Sequence, residues 1–222
     1  RQLAGMAGTT IADMLDRAQG RLATLHEGEG LDETAAALLN FSVCASVTSL
    51  DRSAIEAASE AALAAGATAE QLSEVVALVS GLGVHSLMAS ALPLARAAGL
   101  EDSSRPLDEA RQRLWDQYIG TSAYWAGFSE YFPGFLDAVL RLSPPLFEAF
   151  LSYCAMPWRM GSVSTLTKEL AAMACDITPG HRFAPGFELH LANAIALGAG
   201  RRAIEQAIAI AAAAPLHTGY GQ

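Results

Sequence analysis

The sequence predicts an all-α protein, and three observations carry that prediction. Apolar residues recur with a period near 3.6 along almost the whole chain. Alanine dominates, while runs of β-branched residues are few. Hydrophobic residues fill 52% of the 222 positions, and mean hydropathy is +0.27, ample material for a core. The net charge of −9 and an isoelectric point near 4.9 argue against a nucleic-acid partner. The densest positive spot, Arg201-Arg202, falls far short of a phosphate-tracking face.

The helices can be justified in order. Residues 1–25 place Met6, Ile11, Met14 and Leu15 on one side, and His26 to Gly30 breaks that helix. Leu31 to Val47 forms the second helix, apolar on most of its surface. Ser53 and Glu56 read as a capping box that opens a third, closed by Gly66. Thr68 and Gln71 read as another, opening a long apolar helix interrupted near Gly81-Leu82-Gly83. Glu101 to Pro106 is the clearest linker. Aromatic-rich helices follow from Leu107 to Leu142, broken at Pro133-Gly134. Pro144-Pro145 begins the next helix, and Pro157 to Ser164 is expected to be loop. Leu166, Leu170, Met173 and Ile177 then mark one apolar stripe, and Phe187, Leu191, Ala194, Ile195 and Gly198 another. Thr178 to Gly186 lies between them, and its Pro and Gly punctuation predicts loop. The longest uninterrupted apolar run, Ala207 to Leu216, is too short to span a bilayer and is expected to be a helix buried on most sides. With no leader-like opening, a cytoplasmic protein without a membrane partner is expected.

Sliding the chain by 132 residues lays Ile55-Glu56 through Gly66-Ala67 over Phe187-Glu188 through Gly198-Ala199, and His85 over His217. Upstream the register slips by three, setting Leu31 over Leu166. Two tandem helical repeats are therefore expected, 1–105 and 106–222. Ala58 stands opposite His190, so only the second repeat carries chemistry.

That chemistry lies between Leu166 and Gly200. At about 100° per residue, Glu169 falls on the flank of one apolar stripe and His190 on the flank of the next. His181 and Arg182 sit in the loop between. A carboxylate, two imidazoles and a guanidinium are thus expected to meet beside buried faces, a place for proton chemistry. His190 is the candidate proton donor, Glu169 the group fixing its tautomer, and His181 a second acid–base or oxyanion group. Arg182 is the candidate anchor for a substrate carboxylate, with Trp158, Phe183 and His217 as further candidates for substrate contact. The three cysteines, Cys44, Cys154 and Cys175, lack C-x-x-C or metal spacing and read as small buried residues. No two of the five histidines lie at i, i+3 or i+4, so neither a metal nor a cofactor is expected.

The run Leu166-Thr167-Lys168-Glu169-Leu170, followed by His190-x-x-x-Ala194-x-x-x-Gly198-Ala199, resembles the carboxymuconolactone decarboxylase family, which includes the alkyl-hydroperoxidase D-like proteins. The resemblance covers roughly 160–220, with 31–98 as a degenerate copy. It implies an all-helical fold, assembly as trimers or hexamers, and a site near the motif histidine acting on a small carboxylated or lactone substrate. The peroxidase branch carries a C-x-x-C before that histidine. Here the residues seven and four before His190 are Phe183 and Gly186, so the decarboxylase branch is the closer relative. Two other expectations stay open: a non-catalytic helical assembly or binding module, and a thiol peroxidase using Cys175 with an external thiol.

Overall fold

The computed structural model describes residues 8–101 and 104–220, all in helices and their connections, with no strand among them. Met6 lies outside the described residues. The chain divides into two compact units, one made of 1–79 with 162–222 and the other of 80–161.

The first unit holds α1 (Ile11–Ala23), α2 (Glu33–Ala45), α3 (Arg52–Ala64), α4 (Ala69–Ser80, its last residue across the boundary), α10 (Thr165–Ile177), α11 (Ala184–Ala196) and α12 (Arg201–Ala212). α10 is its axis. Every residue from Lys168 to Ile177 is buried, and the helix packs against α2, α11 and α12. Side-chain caps start most of these helices. Thr10 and Asp13 close a capping box on α1, Thr68 and Gln71 close one on α4, and Ser164 accepts from the Thr167 amide on α10. On α3 the cap is Asp51, which accepts from Ala54, so Ser53 lies inside the helix rather than at its start. Pro185 and Gly186, expected in loop, occupy the first turn of α11. Proline is well placed there, because its missing N–H would have no helical partner. α12 ends at Ala212; the predicted apolar run presents Ala207, Ala211 and Ala214 inward and leaves Ala209 and Ala212 exposed, so it is half-buried.

The helix bounds fall into two series. α2, α3 and α4 have the same lengths as α10, α11 and α12, and each starts 132 residues before its counterpart. The three-residue slip of the sequence register is not carried into these bounds. Gly66 (φ +89°) and Gly198 (φ +95°) end the paired third and eleventh helices in the left-handed region. Leu50 (φ 43°) and Arg182 (φ 54°), also 132 apart, are the non-glycine residues with positive φ among the described residues. Contacts between the series are reciprocal. Glu74 on α4 accepts from the Ser162 amide ahead of α10, at 2.8 Å, and Gln206 on α12 accepts from the Leu31 amide ahead of α2, at 2.6 Å.

The second unit contains a 3-10 turn (Gly81–Gly83), α5 (Val84–Ala97), α6 (Glu109–Tyr118), α7 (Ala123–Tyr131), α8 (Phe135–Leu142) and α9 (Pro144–Arg159). α8 packs on α5, α6 and α9, around Phe128, Phe132, Phe135 and Phe150. α9 runs through Pro157, which the sequence reading placed in a loop. By length and composition alone the run Ala69–Ala97 could cross a membrane; within it, Glu74 is buried against Lys168 inside the first unit.

Candidate active site

A buried helix tolerates ionisable side chains only where partners replace water. Besides Cys175, α10 carries three: Lys168 and Glu169 are closely paired, and Asp176 lies within ion-pair reach of His181. Lys168 pairs with Glu74 of α4, both almost fully buried. Ser162 adds its amide and hydroxyl to the same carboxylate. These bonds hold the Glu74 carboxyl below the usual carboxylate range, although burial, the largest influence, acts the other way. The pair fixes the position of α10 one residue before Glu169.

Glu169 faces α11. Its Oε2 lies 2.6 Å from His190 Nδ1, and its Oε1 accepts from Asn193 Nδ2 at 3.2 Å. His190 and Asn193 stand three residues apart on one helical face, so both reach one carboxylate. A carboxylate on Nδ1 makes that nitrogen the N–H donor and directs acid–base chemistry to Nε2. Burial acts to lower the His190 pKa, but the hydrogen bond and charge of Glu169, helped by Asp176, outweigh it and raise the value. The His190 ring is therefore more readily protonated than a free imidazole.

Asp176, two turns after Glu169 on α10, is fully buried. Its Oδ1 lies 3.6 Å from His181 Nε2, beyond hydrogen-bond distance but within ion-pair reach. Burial pushes its carboxyl up to about 7, against the charge of His190. His181 stacks on Phe183, with ring centroids 5.5 Å apart and planes 20° apart, and its burial lowers its pKa. Each imidazole keeps 16% of its side chain exposed, whereas Glu169 and Asp176 are sealed behind them. The assembly thus presents two rings toward solvent, each with a carboxylate beside or behind it.

The remaining candidates lie further out. Arg182 is exposed at its left-handed position and makes no ion pair among the described residues. His217 lies in the exposed segment after α12, where its Nδ1 accepts from the Gly219 amide, and the structure does not bring it to the cluster. Trp158 is half-buried on α9, in the other unit. A cleft of about 500 Å³ between α1 and α12, lined by Leu15, Gln19, Arg201 and Ile208 among others, includes none of the site residues. Cys175 is fully buried, and burial pushes its thiol up to about 12. It stays protonated at neutral pH and is a poor nucleophile. Sequence reading missed Asp176 and Asn193. The i, i+7 spacing of Glu169 and Asp176 was a usable signal, since it puts two acids on one face of an otherwise apolar helix.

No family model matches the sequence, and no curated protein matches it. Among solved structures, a protein of Burkholderia xenovorans LB400, provisionally named a gamma-carboxymuconolactone decarboxylase subunit, matches with a TM-score of 0.68. The two are 29% identical, over 92% of this chain and 84% of that one. The all-helical fold and this likeness support the resemblance to the carboxymuconolactone decarboxylase-like proteins that the sequence motif carries.

Proposed function

We propose that the chain is an acid–base enzyme of the carboxymuconolactone decarboxylase type that decarboxylates or isomerises a small carboxylated or lactone substrate. The observation that supports this most is the 2.6 Å pairing of Glu169 with His190 on a ring that still reaches solvent. In decarboxylation the bond to the carboxylate carbon breaks, carbon dioxide leaves, and the electron pair passes into an enolate or dienolate. His190, as imidazolium, delivers its Nε2 proton to the carbon left behind and is restored from solvent. His181, the less basic imidazole, hydrogen-bonds the oxygen where charge collects. Arg182 holds a second carboxylate of the substrate from the rim. Isomerisation uses the same groups, with one imidazole taking a proton as the other gives one. The chain would act as a homo-oligomer, trimeric or hexameric as the resemblance implies, and the two three-helix series would be copies of one ancestral unit.

The test is turnover of γ-carboxymuconolactone and a panel of β-keto acids, followed by carbon dioxide release and by deuterium entering product from D2O. His190→Ala is expected to lower kcat/KM by about 10²- to 10⁴-fold on an accepted substrate, with the helical circular dichroism unchanged. Turnover that survives this change would sink the proposal. A non-catalytic binding module would show saturable binding of the same compounds with no product.

A further inference from the structure

Nothing in the motif that this chain shares with the carboxymuconolactone decarboxylase family calls for an acid at position 176, yet that acid is fully buried, 3.6 Å from His181 and on the same face of α10 as Glu169, the partner of His190. Its surroundings are built to hold it. The Phe183 amide donates to the Asp176 carbonyl at 2.8 Å, bending the loop back over the end of α10. The Phe183 ring then stacks on His181 and holds that ring with Nε2 toward Asp176. On the other side the carboxylate presses against the first turn of α11 at Gly186, where a Cβ would overlap Asp176 Oδ2 and crowd the Phe183 ring. Position 186 therefore admits a carboxylate because it has no side chain. In the first series the residue 132 positions before Asp176 is Cys44, and those matching His181 and His190 are Ser49 and Ala58. The acid and the imidazoles occur together in one series and are absent together from the other.

We infer that Asp176 is a positioning residue that orients both site histidines, His181 directly and His190 through its charge, and that Gly186 exists to make room for it. This rests on the acid–base reading above. It extends that reading by making the site two imidazole–carboxylate arms, Glu169–His190 and Asp176–His181, instead of one. Two arms suit a substrate that must receive a proton at one atom while an oxygen or a second carbon is held by the other ring.

The experiment uses the full chain with ¹⁵N-labelled histidine, reading the ring nitrogens of positions 181 and 190 by NMR. Asp176→Asn, nearly the same shape without the charge, is expected to shift both ring signals. On an accepted substrate it should lower kcat about 10²-fold with KM changed less than about threefold. Gly186→Ala, which displaces the carboxylate and leaves it ionisable, should shift the His181 signals in the same direction. Ring signals unmoved in a folded Asp176→Asn protein overturn the inference. Should that variant fail to fold, His181→Ala is read at His190: a shift there supports coupling through Asp176, and an unchanged signal overturns it. If the ring signals move but no substrate is turned over, the positioning role stands and the enzymatic reading falls.

Discussion

The α2–α3–α4 and α10–α11–α12 segments have the same helix bounds at a constant offset, the same left-handed residues at the same places, and reciprocal polar clamps. They differ in what they carry at five matched positions. Ala37, Cys44, Ser49, Ala58 and Ala61 stand where the second series has Glu169, Asp176, His181, His190 and Asn193. Backbone architecture therefore depends on helix length, caps, left-handed turns and small buried residues, which both series share. Chemistry depends on five positions that the architecture leaves open. The lesson is that the scaffold tolerates either content, provided every buried charge is matched.

Three changes would sharpen or break this comparison. The clamps look alike but differ in charge, so they should differ most in cost. Glu74→Ala removes the carboxylate that neutralises buried Lys168 and should destabilise the fold by about 3–5 kcal/mol, whereas Gln206→Ala loses a neutral hydrogen bond worth about 1 kcal/mol. Urea denaturation of both variants measures the difference, and equal losses would show that Lys168 finds another partner. Next, Gly66→Ala and Gly198→Ala force a Cβ into the same left-handed geometry. Each should cost about 1–2 kcal/mol, and a large inequality between their melting shifts would mean that the two helix ends are not equivalent.

The smallest effect is a pH slope. The carboxyl of Asp176 lies near 7 when folded and in the ordinary carboxylate range when unfolded, so the native state holds the extra proton between those values. Stability from this group is complete below the ordinary range and is lost as pH rises toward about 7. Asp176→Asn should remove that decline from a plot of stability against pH. The raised His190 pKa gives a decline of the same sign at higher pH, lost as pH rises above the ordinary imidazole value. It should persist in Asp176→Asn and vanish in His190→Ala.

Much of the fold was legible because its signals are local. Periodicity located the helices, the Thr68–Gln71 box marked the start of α4, and Gly66 marked the end of α3. Local signals also misled. Ser53 looked like a cap because an acid follows three residues later, but Asp51 reaches the helix amides first. Pro157 and Pro185 looked like breakers, though one is carried inside α9 and the other sits in the permissive first turn of α11. In the candidate site, the flanks of two stripes identified Glu169 and His190 as facing residues. Nothing local could show that Glu74, 94 positions before Lys168, would be its partner. Asp176 was overlooked because an acid in an alanine-rich stretch reads as a solvated face until the helix is known to be central.

The first unit is discontinuous, its parts separated by residues 80–161. On a ribosome, α2, α3 and α4 would emerge well before α10, the helix they pack around, and Glu74 would wait without its lysine until the final third of the chain appeared. Native closure of this unit is therefore expected to be post-translational, at the loop-closure cost of joining distant segments. A nascent chain arrested before residue 162 should be protease-sensitive across residues 8–79.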